Sequence, residues 1–231
     1  MKLLCIGDSV VNGFPYSGEF SFPTLIANRR GWEVINRGCN GEISSAVASR
    51  LKKELEESFY DMALILCGAN DFIFSCENVG SVSKNIVEMA EDCFNHSVIP
   101  VIVTPLPSNP RQAEIGWMPG IDYNNVNKKI AELETVLKKW ATEREVKCIS
   151  LSQLCPGKMT YCDGIHPTGE GYEIIADLII FFSRRCCKVT LGKNIFLVLF
   201  YRNGLGFVGS VICLKCKIYS IVIALPKLYS P

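Results

Sequence analysis

An open α/β fold, three layers (α/β/α) around a central parallel five-stranded sheet, is what this sequence predicts, on three observations. Short apolar runs at residues 2–6, 34–36, 62–67, 98–103 and 146–150 alternate with amphipathic stretches at 22–30, 44–57, 81–96, 124–143 and 168–184. That serial βα order builds a parallel sheet covered by helices on both faces. The apolar runs are continuous, as in Ala63-Leu64-Ile65-Leu66, which suits strands buried on both sides rather than those of an antiparallel sandwich. With 231 residues, 48% hydrophobic and 20% charged, the chain can fill one ordinary core, or one domain plus an extension, and is neither disordered nor collagen-like in composition.

Each element follows in order. The first strand stops at Gly7-Asp8-Ser9, so the opening apolar run is too short for the h-region of a signal peptide. The twelve cysteines then read as small buried hydrophobes and free thiols in a reducing, cytoplasmic setting rather than as a disulfide framework, and the sequon Asn95-His96-Ser97 goes unglycosylated. The second strand leads into Gly38-Cys39-Asn40-Gly41-Glu42 and the third into Gly68-Ala69-Asn70-Asp71. After the fourth, the segment 105–120 carries Pro105, Pro107, Pro110 and Pro119 with Trp117 and Met118, and reads as a surface loop shaping a pocket entrance. In the helix at 124–143, Val126, Ile130, Leu133, Val136, Leu137 and Trp140 recur at helical spacing and predict a core-facing stripe. The simplest strand order is 2-1-3-4-5, the flavodoxin-like arrangement. In such sheets ligands gather beyond the carboxyl ends of the strands, at the switch point, so chemistry is expected in the loops after strands 1, 2 and 3.

Charge divides the chain. The totals, 24 Lys+Arg against 23 Asp+Glu, are nearly balanced, which removes the electrostatic footprint of a nucleic-acid binder. No acidic residue follows Asp177, however, whereas eight basic ones do, leaving 16 basic against 23 acidic residues before that point. The seam is expected near Arg185, with one domain at 1–185 and an apolar, basic extension at 186–231. Within the extension, residues 194–201 and 203–214 are free of charge, and Arg202 interrupts them. That arginine would cost a membrane-spanning helix about 2.5–3.5 kcal/mol. Membrane contact through residues 190–225, an added strand, or a tail unrelated to the preceding domain are the open alternatives.

Ser9 follows a buried strand, so its hydroxyl stands at the mouth of the sheet. To become a nucleophile it needs a neutral imidazole to take its proton and a carboxylate to hold that imidazole in the right tautomer. The chain has two histidines. His96 ends a predicted helix and suits the helix-terminal carbonyls. His166 lies in Asp163-Gly164-Ile165-His166-Pro167, where a turn through Gly164 can fold Asp163 back onto the imidazole; a surface loop with a helix-capping Asp is the alternative. Acyl transfer also needs donors for a developing oxyanion. The Ser9 N–H, the unshielded Gly41 N–H and the Asn70 side-chain amide are the candidates; taken singly, Gly41 and Asn70 are more often turn formers, and it is their joint placement after adjacent strands that favours the site.

These residues resemble the blocks of a known family, the SGNH or GDSL-type hydrolases, in the family's order. Gly7-Asp8-Ser9 is similar to its nucleophile block, Asn36-Arg37-Gly38-Cys39-Asn40-Gly41-Glu42 to its glycine block, Gly68-Ala69-Asn70-Asp71 to its Gly-x-Asn-Asp block and Asp163-Gly164-Ile165-His166 to its Asp-x-x-His block. The resemblance spans roughly residues 2–185. It implies Ser9 as nucleophile, His166 as base, Asp163 as the orienting carboxylate, and an oxyanion hole from Ser9, Gly41 and Asn70. Val10 stands where many members carry Leu, a change of packing. Ser9 is not embedded in Gly-x-Ser-x-Gly, which argues against an α/β-hydrolase elbow. The implied activity is cleavage of carboxylic esters through an acyl-enzyme on Ser9, with thioesters, lysophospholipids and acetylated sugars among the family's substrates and no cofactor.

Two further motifs carry little. Gly204-Leu205-Gly206-Phe207-Val208-Gly209 matches a dinucleotide fingerprint but has no acidic residue downstream. Cys213-Leu214-Lys215-Cys216 lacks a second ligand pair for zinc, so no metal is expected. Besides the serine esterase, a flavodoxin-like small-molecule binding module with a degenerate site and a membrane-associated interaction protein acting through its tail remain as readings of another class.

Overall fold

Five parallel strands, β1 (Lys2–Gly7), β2 (Glu33–Gly38), β3 (Met62–Leu66), β4 (Ile99–Val103) and β5 (Lys147–Ile149), pair in the order β2-β1-β3-β4-β5. The computed structural model describes residues 1–16, 18–154, 159–183, 187–191, 194–203, 206–213 and 218–224, with side chains as far as Phe182. Central β1 and β3 are buried almost throughout, whereas edge strand β2 is partly exposed along its length, as their sequences demand. Gly7 is in register with Gly38 on one side and Leu66 on the other. The chain therefore leaves all three strands at one level, and their loops converge.

The long helices are α2 (Phe22–Arg30), α3 (Ser44–Glu57), α5 (Val79–Asn95), α7 (Tyr123–Glu143) and α8 (Gly169–Ser183), with three short ones, α1 (Ser9–Asn12), α4 (Ala69–Phe74) and α6 (Pro110–Gly116), at the sheet's carboxyl edge. The segment expected to be a surface loop contains α6. Asn109 caps it by accepting the Gln112 N–H at 3.2 Å, and Pro110 occupies the first turn, where its missing N–H costs nothing. In α7 the stripe is Val126, Ile130, Leu133 and Leu137, with Trp140 partly buried against the core and Ala141 buried beside it. Val136 departs from expectation and is 44% exposed. At 3.6 residues per turn it falls about 90° from the centre of the stripe.

The chain divides into two compact units, Met1–Asp177 and Leu178–Pro231. The division falls within α8, ahead of residue 185. In the second unit β6 (Cys187–Leu191), β7 (Asn194–Asn203), β8 (Gly206–Cys213) and β9 (Ile218–Ala224) form an antiparallel sheet in sequential order. The charge-free runs thus lie in strands over their described residues, and no helix among the described residues is long and apolar enough to cross a membrane. Gly204 and Leu205 of the glycine-rich motif, Leu214 to Cys216 of the Cys-x-x-Cys motif, and Arg184 to Cys186 at the expected seam lie outside the described residues.

Candidate active site

Ser9 is placed by one local and two longer-range devices. Asp8 caps α1 by accepting the Val10 N–H at 3.0 Å, which sets Ser9 at the first helical position, 8% exposed. Asn36 donates from its amide to the Val11 carbonyl at 3.0 Å and accepts the Gly38 N–H at 2.9 Å, tying α1 to the end of β2. From α3, Arg50 holds the following loop. Its Nε donates to both carboxylate oxygens of Glu42 at 3.0 and 2.8 Å, Nη1 to the Arg37 carbonyl at 2.8 Å and Nη2 to the Gly7 carbonyl at 3.1 Å.

The third loop is fixed to the second. The capping residue of α3 is Ile43, whose side chain can accept nothing, so the first N–H groups of that helix need another acceptor. Asp71 of α4 supplies it, accepting the Ser44 N–H at 2.9 Å and the Ser44 hydroxyl at 2.6 Å. Next to it Asn70 donates one of its two amide N–H groups to the Glu42 carbonyl at 2.9 Å. Asp8, Asp71 and Glu42 thus bring three carboxylates together beneath the site. Burial first, then the charges of Asp71 and Glu42, push the Asp8 carboxyl up to about 7 against the pull of the Val10 N–H.

β5 lies at the far edge of the sheet from β2, yet the chain after it returns to Ser9. The Tyr161 hydroxyl donates to the Pro107 carbonyl at 2.5 Å, Gln112 donates to the Tyr161 carbonyl at 2.9 Å, and the Tyr172 hydroxyl donates to the Phe14 carbonyl at 2.7 Å. Gly164 makes the turn at φ +95°, and a Cβ there would lie 2.2 Å from the Ala113 nitrogen of α6. Only glycine lets the loop and α6 come so close. Asp163 Oδ1 accepts the Ile165 and His166 N–H groups at 2.9 and 2.8 Å, and Oδ2 accepts from His166 Nδ1 at 2.7 Å. Burial alone would raise the Asp163 carboxyl, but the His166 N–H, the imidazole and the Ile165 N–H hold it below its usual value. His166 Nε2 stands 3.0 Å from Ser9 Oγ. With Nδ1–H committed to Asp163, the serine hydroxyl is the donor to Nε2. His96, the other histidine, caps α5, with Nδ1 donating to the Asp92 carbonyl at 2.8 Å.

A cavity of about 200 Å³ opens on these groups. Its lining is made of the polar residues Ser9, Asn40, Gly41, Asn70 and His166 and the apolar residues Phe14, Phe74, Trp117 and Ile165. The structure therefore brings together Ser9, Gly41, Asn70 and His166, with Asp163 behind the imidazole. Trp117 is at the pocket as expected, whereas Met118 is not part of the lining. Sequence reasoning missed Phe14 and Phe74. Phe74 lies four residues after Asn70 on α4, on the same helical face, and could have been found had that short helix been recognised. Phe14 follows the left-handed Gly13 that closes α1 and carries no periodic signal.

The model of the GDSL-like lipase/acylhydrolase family matches residues 5–174 of this chain. The chain belongs to that family. It is accordingly a carboxylic ester hydrolase of the GDSL esterase/lipase type. An arylesterase from Vibrio mimicus is 25% identical over 186 residues, covering 77% of this chain and 86% of that protein. Among solved structures, the inhibitor-bound form of an aryl esterase from M. smegmatis superposes with a TM-score of 0.70 at 17% identity, covering 80% of this hydrolase and 98% of that chain. A carbohydrate acetylesterase from Sinorhizobium meliloti gives 0.67 at 19% identity, covering 78% and 99%. At such identities the structural likeness concerns the fold, the same three-layer arrangement around the 2-1-3-4-5 sheet.

Proposed function

We propose that the hydrolase cleaves carboxylic esters through a covalent acyl-enzyme on Ser9. The observation that carries this is the continuous chain of hydrogen bonds from Asp163 Oδ2 through His166 to Ser9 Oγ, at 2.7 and 3.0 Å, opening on a cavity. A binding module would have no use for it. Oγ attacks the ester carbonyl carbon while its proton passes to Nε2, and the imidazolium formed is stabilised by Asp163. The carbonyl oxygen becomes an oxyanion, met by the Ser9 N–H in the first turn of α1, the Gly41 N–H and the Asn70 amide hydrogen not used by Glu42. Collapse expels the alcohol, which takes the proton from Nε2, and leaves the acyl group on Oγ. A water molecule, deprotonated by Nε2 in turn, releases the carboxylic acid and restores Ser9. Names of relatives point to aryl esters and to carbohydrate acetates as neighbouring specificities. A cytoplasmic setting suits Cys5, Cys39, Cys67, Cys76, Cys93, Cys148 and Cys162, which are free thiols, with Cys5, Cys67 and Cys93 buried.

Labelling by a fluorophosphonate tests the assignment. Wild type is expected to take up one label, lost in Ser9→Ala and in His166→Ala, while His96→Ala labels and turns over p-nitrophenyl acetate as wild type does. Equal losses in both histidine variants, each folded, would overturn it.

A further inference from the structure

We infer that Trp117 selects the alcohol part of the ester, favouring an aryl leaving group; this rests on the Ser9 acyl-transfer reading above. The imidazole of His166 meets two aromatic rings that also meet each other. Phe14 meets it at 4.6 Å between centroids and 62° between planes, Trp117 meets it at 4.8 Å and 74°, and Phe14 and Trp117 are 6.1 Å apart at 72°. The chemistry then orients the substrate. The proton that Nε2 takes from Oγ goes to the leaving oxygen, so that oxygen must come within hydrogen-bond reach of Nε2. The carbon attached to it is next to whatever flanks the imidazole. The oxyanion is turned away, toward Asn70 and Gly41. Trp117 and Phe14 therefore wall the leaving-group side, and Phe74, one helical turn beyond Asn70, belongs to the oxyanion side.

Size makes this wall matter. At about 200 Å³ the cavity is smaller than the roughly 300–1,000 Å³ of ordinary ligand pockets, so one arm of most esters has to lie along its rim. Trp117 lines the cavity and is also 38% exposed, so its apolar surface runs from the cavity to solvent. A planar ring laid against the indole gains the edge or offset contact that aromatic pairs prefer, which a small alkyl or polyol group cannot make. The wall is also held in place. The backbone N–H of Trp117 donates to the Ala113 carbonyl at 3.0 Å, and α6 is joined to the base-bearing loop by the backbone N–H of Asn109 on the Gly164 carbonyl at 2.7 Å.

The test compares kcat/KM for phenyl acetate and ethyl acetate in wild type, Trp117→Ala and Trp117→Leu, with thermal melts to check folding. Both esters give the same acetyl-enzyme, and their different intrinsic reactivities cancel in each variant-to-wild-type ratio. Trp117→Ala is expected to lose about tenfold more on phenyl acetate than on ethyl acetate, and Trp117→Leu, which keeps an apolar side chain and guards against a folding defect in the smaller variant, to fall between. Equal losses on the two esters would reduce Trp117 to a support for the imidazole and overturn the inference. Fluorophosphonate labelling of wild type separates the two failures: with Ser9 labelled, equal losses sink only the role of Trp117, and without labelling the acyl-transfer reading falls and takes this one with it.

Discussion

Asn70 has two amide hydrogens and two tasks. One hydrogen is spent on the Glu42 carbonyl; the other meets the oxyanion in the proposed mechanism, a charge that exists only at the transition state. Asn70→Ala should therefore lower kcat by about 10²–10³ with a smaller change in KM, and steady-state kinetics showing a change confined to KM would mean that Asn70 only holds substrate. Asp8 acts on stability. Its carboxyl is raised from 3.8 to about 7 in the fold, so between those values the folded protein keeps a proton that the unfolded chain has released. The stability tied to that proton is present in acid and is lost as pH rises from about 4 to about 7. Asp8→Asn keeps an acceptor for the Val10 N–H and removes the titration. The Tm of the variant minus that of wild type should grow across the window, and a difference that stays level would contradict the shift. Ser9, Gly41, Asn70, Asp163 and His166 were legible because each sits in a block whose neighbours carry meaning. What they touch was not. The raised Asp8 carboxyl depends on two other loops, and the rings around His166 depend on contacts across most of the chain.

Elements were legible in proportion to their length. Within Met1–Asp177 the strands and long helices announced themselves through apolar runs and periodicity; the charge-free runs that lie in β7 and β8 left an added strand and membrane contact equally open. Helices α1, α4 and α6, of four, six and seven residues, are too short to show a period. Their only traces are local, such as the capping Asp8 and the pair Asn109-Pro110. Yet these three helices carry Ser9, Asn70 and, at its end, Trp117. The contact of α6 with the base-bearing loop gives a clean comparison. Gly164 and Gly120 both hold positive φ, +95° and +83°, but an added Cβ meets the Ala113 backbone at 2.2 Å in the first case and nothing within 4 Å in the second. Gly120→Ala should cost only the backbone strain, about 1–2 kcal/mol, and leave kinetics close to wild type. Gly164→Ala adds a backbone clash that nothing flexible can absorb. It must move either α6 or the Asp163–His166 turn, so it should cost more in urea unfolding and slow fluorophosphonate labelling of Ser9 by at least about tenfold. Equal effects of the two substitutions would show that the approach of α6 does not position the base.

At the scale of the whole molecule, the question is how much of the chain the chemistry needs. Every residue of the proposed mechanism lies in the unit Met1–Asp177, and the family match ends at residue 174. The M. smegmatis and Sinorhizobium meliloti structures place 98% and 99% of their own lengths on 80% and 78% of this chain, so that fold is complete in them without a counterpart to the rest. The change of charge after Asp177, with eight basic residues and no acidic ones, marks the remainder as a different kind of sequence. Truncation after Cys187 keeps α8 whole and removes β7, β8 and β9 together with all but the first residue of β6. The shortened protein should retain a cooperative melt, fluorophosphonate labelling of Ser9 and the kcat/KM of the full chain on phenyl acetate within about threefold, as expected of a domain with its own core. Loss of both the melt and the labelling would place part of the catalytic unit in the removed strands. A melt that survives while kcat/KM falls would instead assign the second unit a part in presenting substrate.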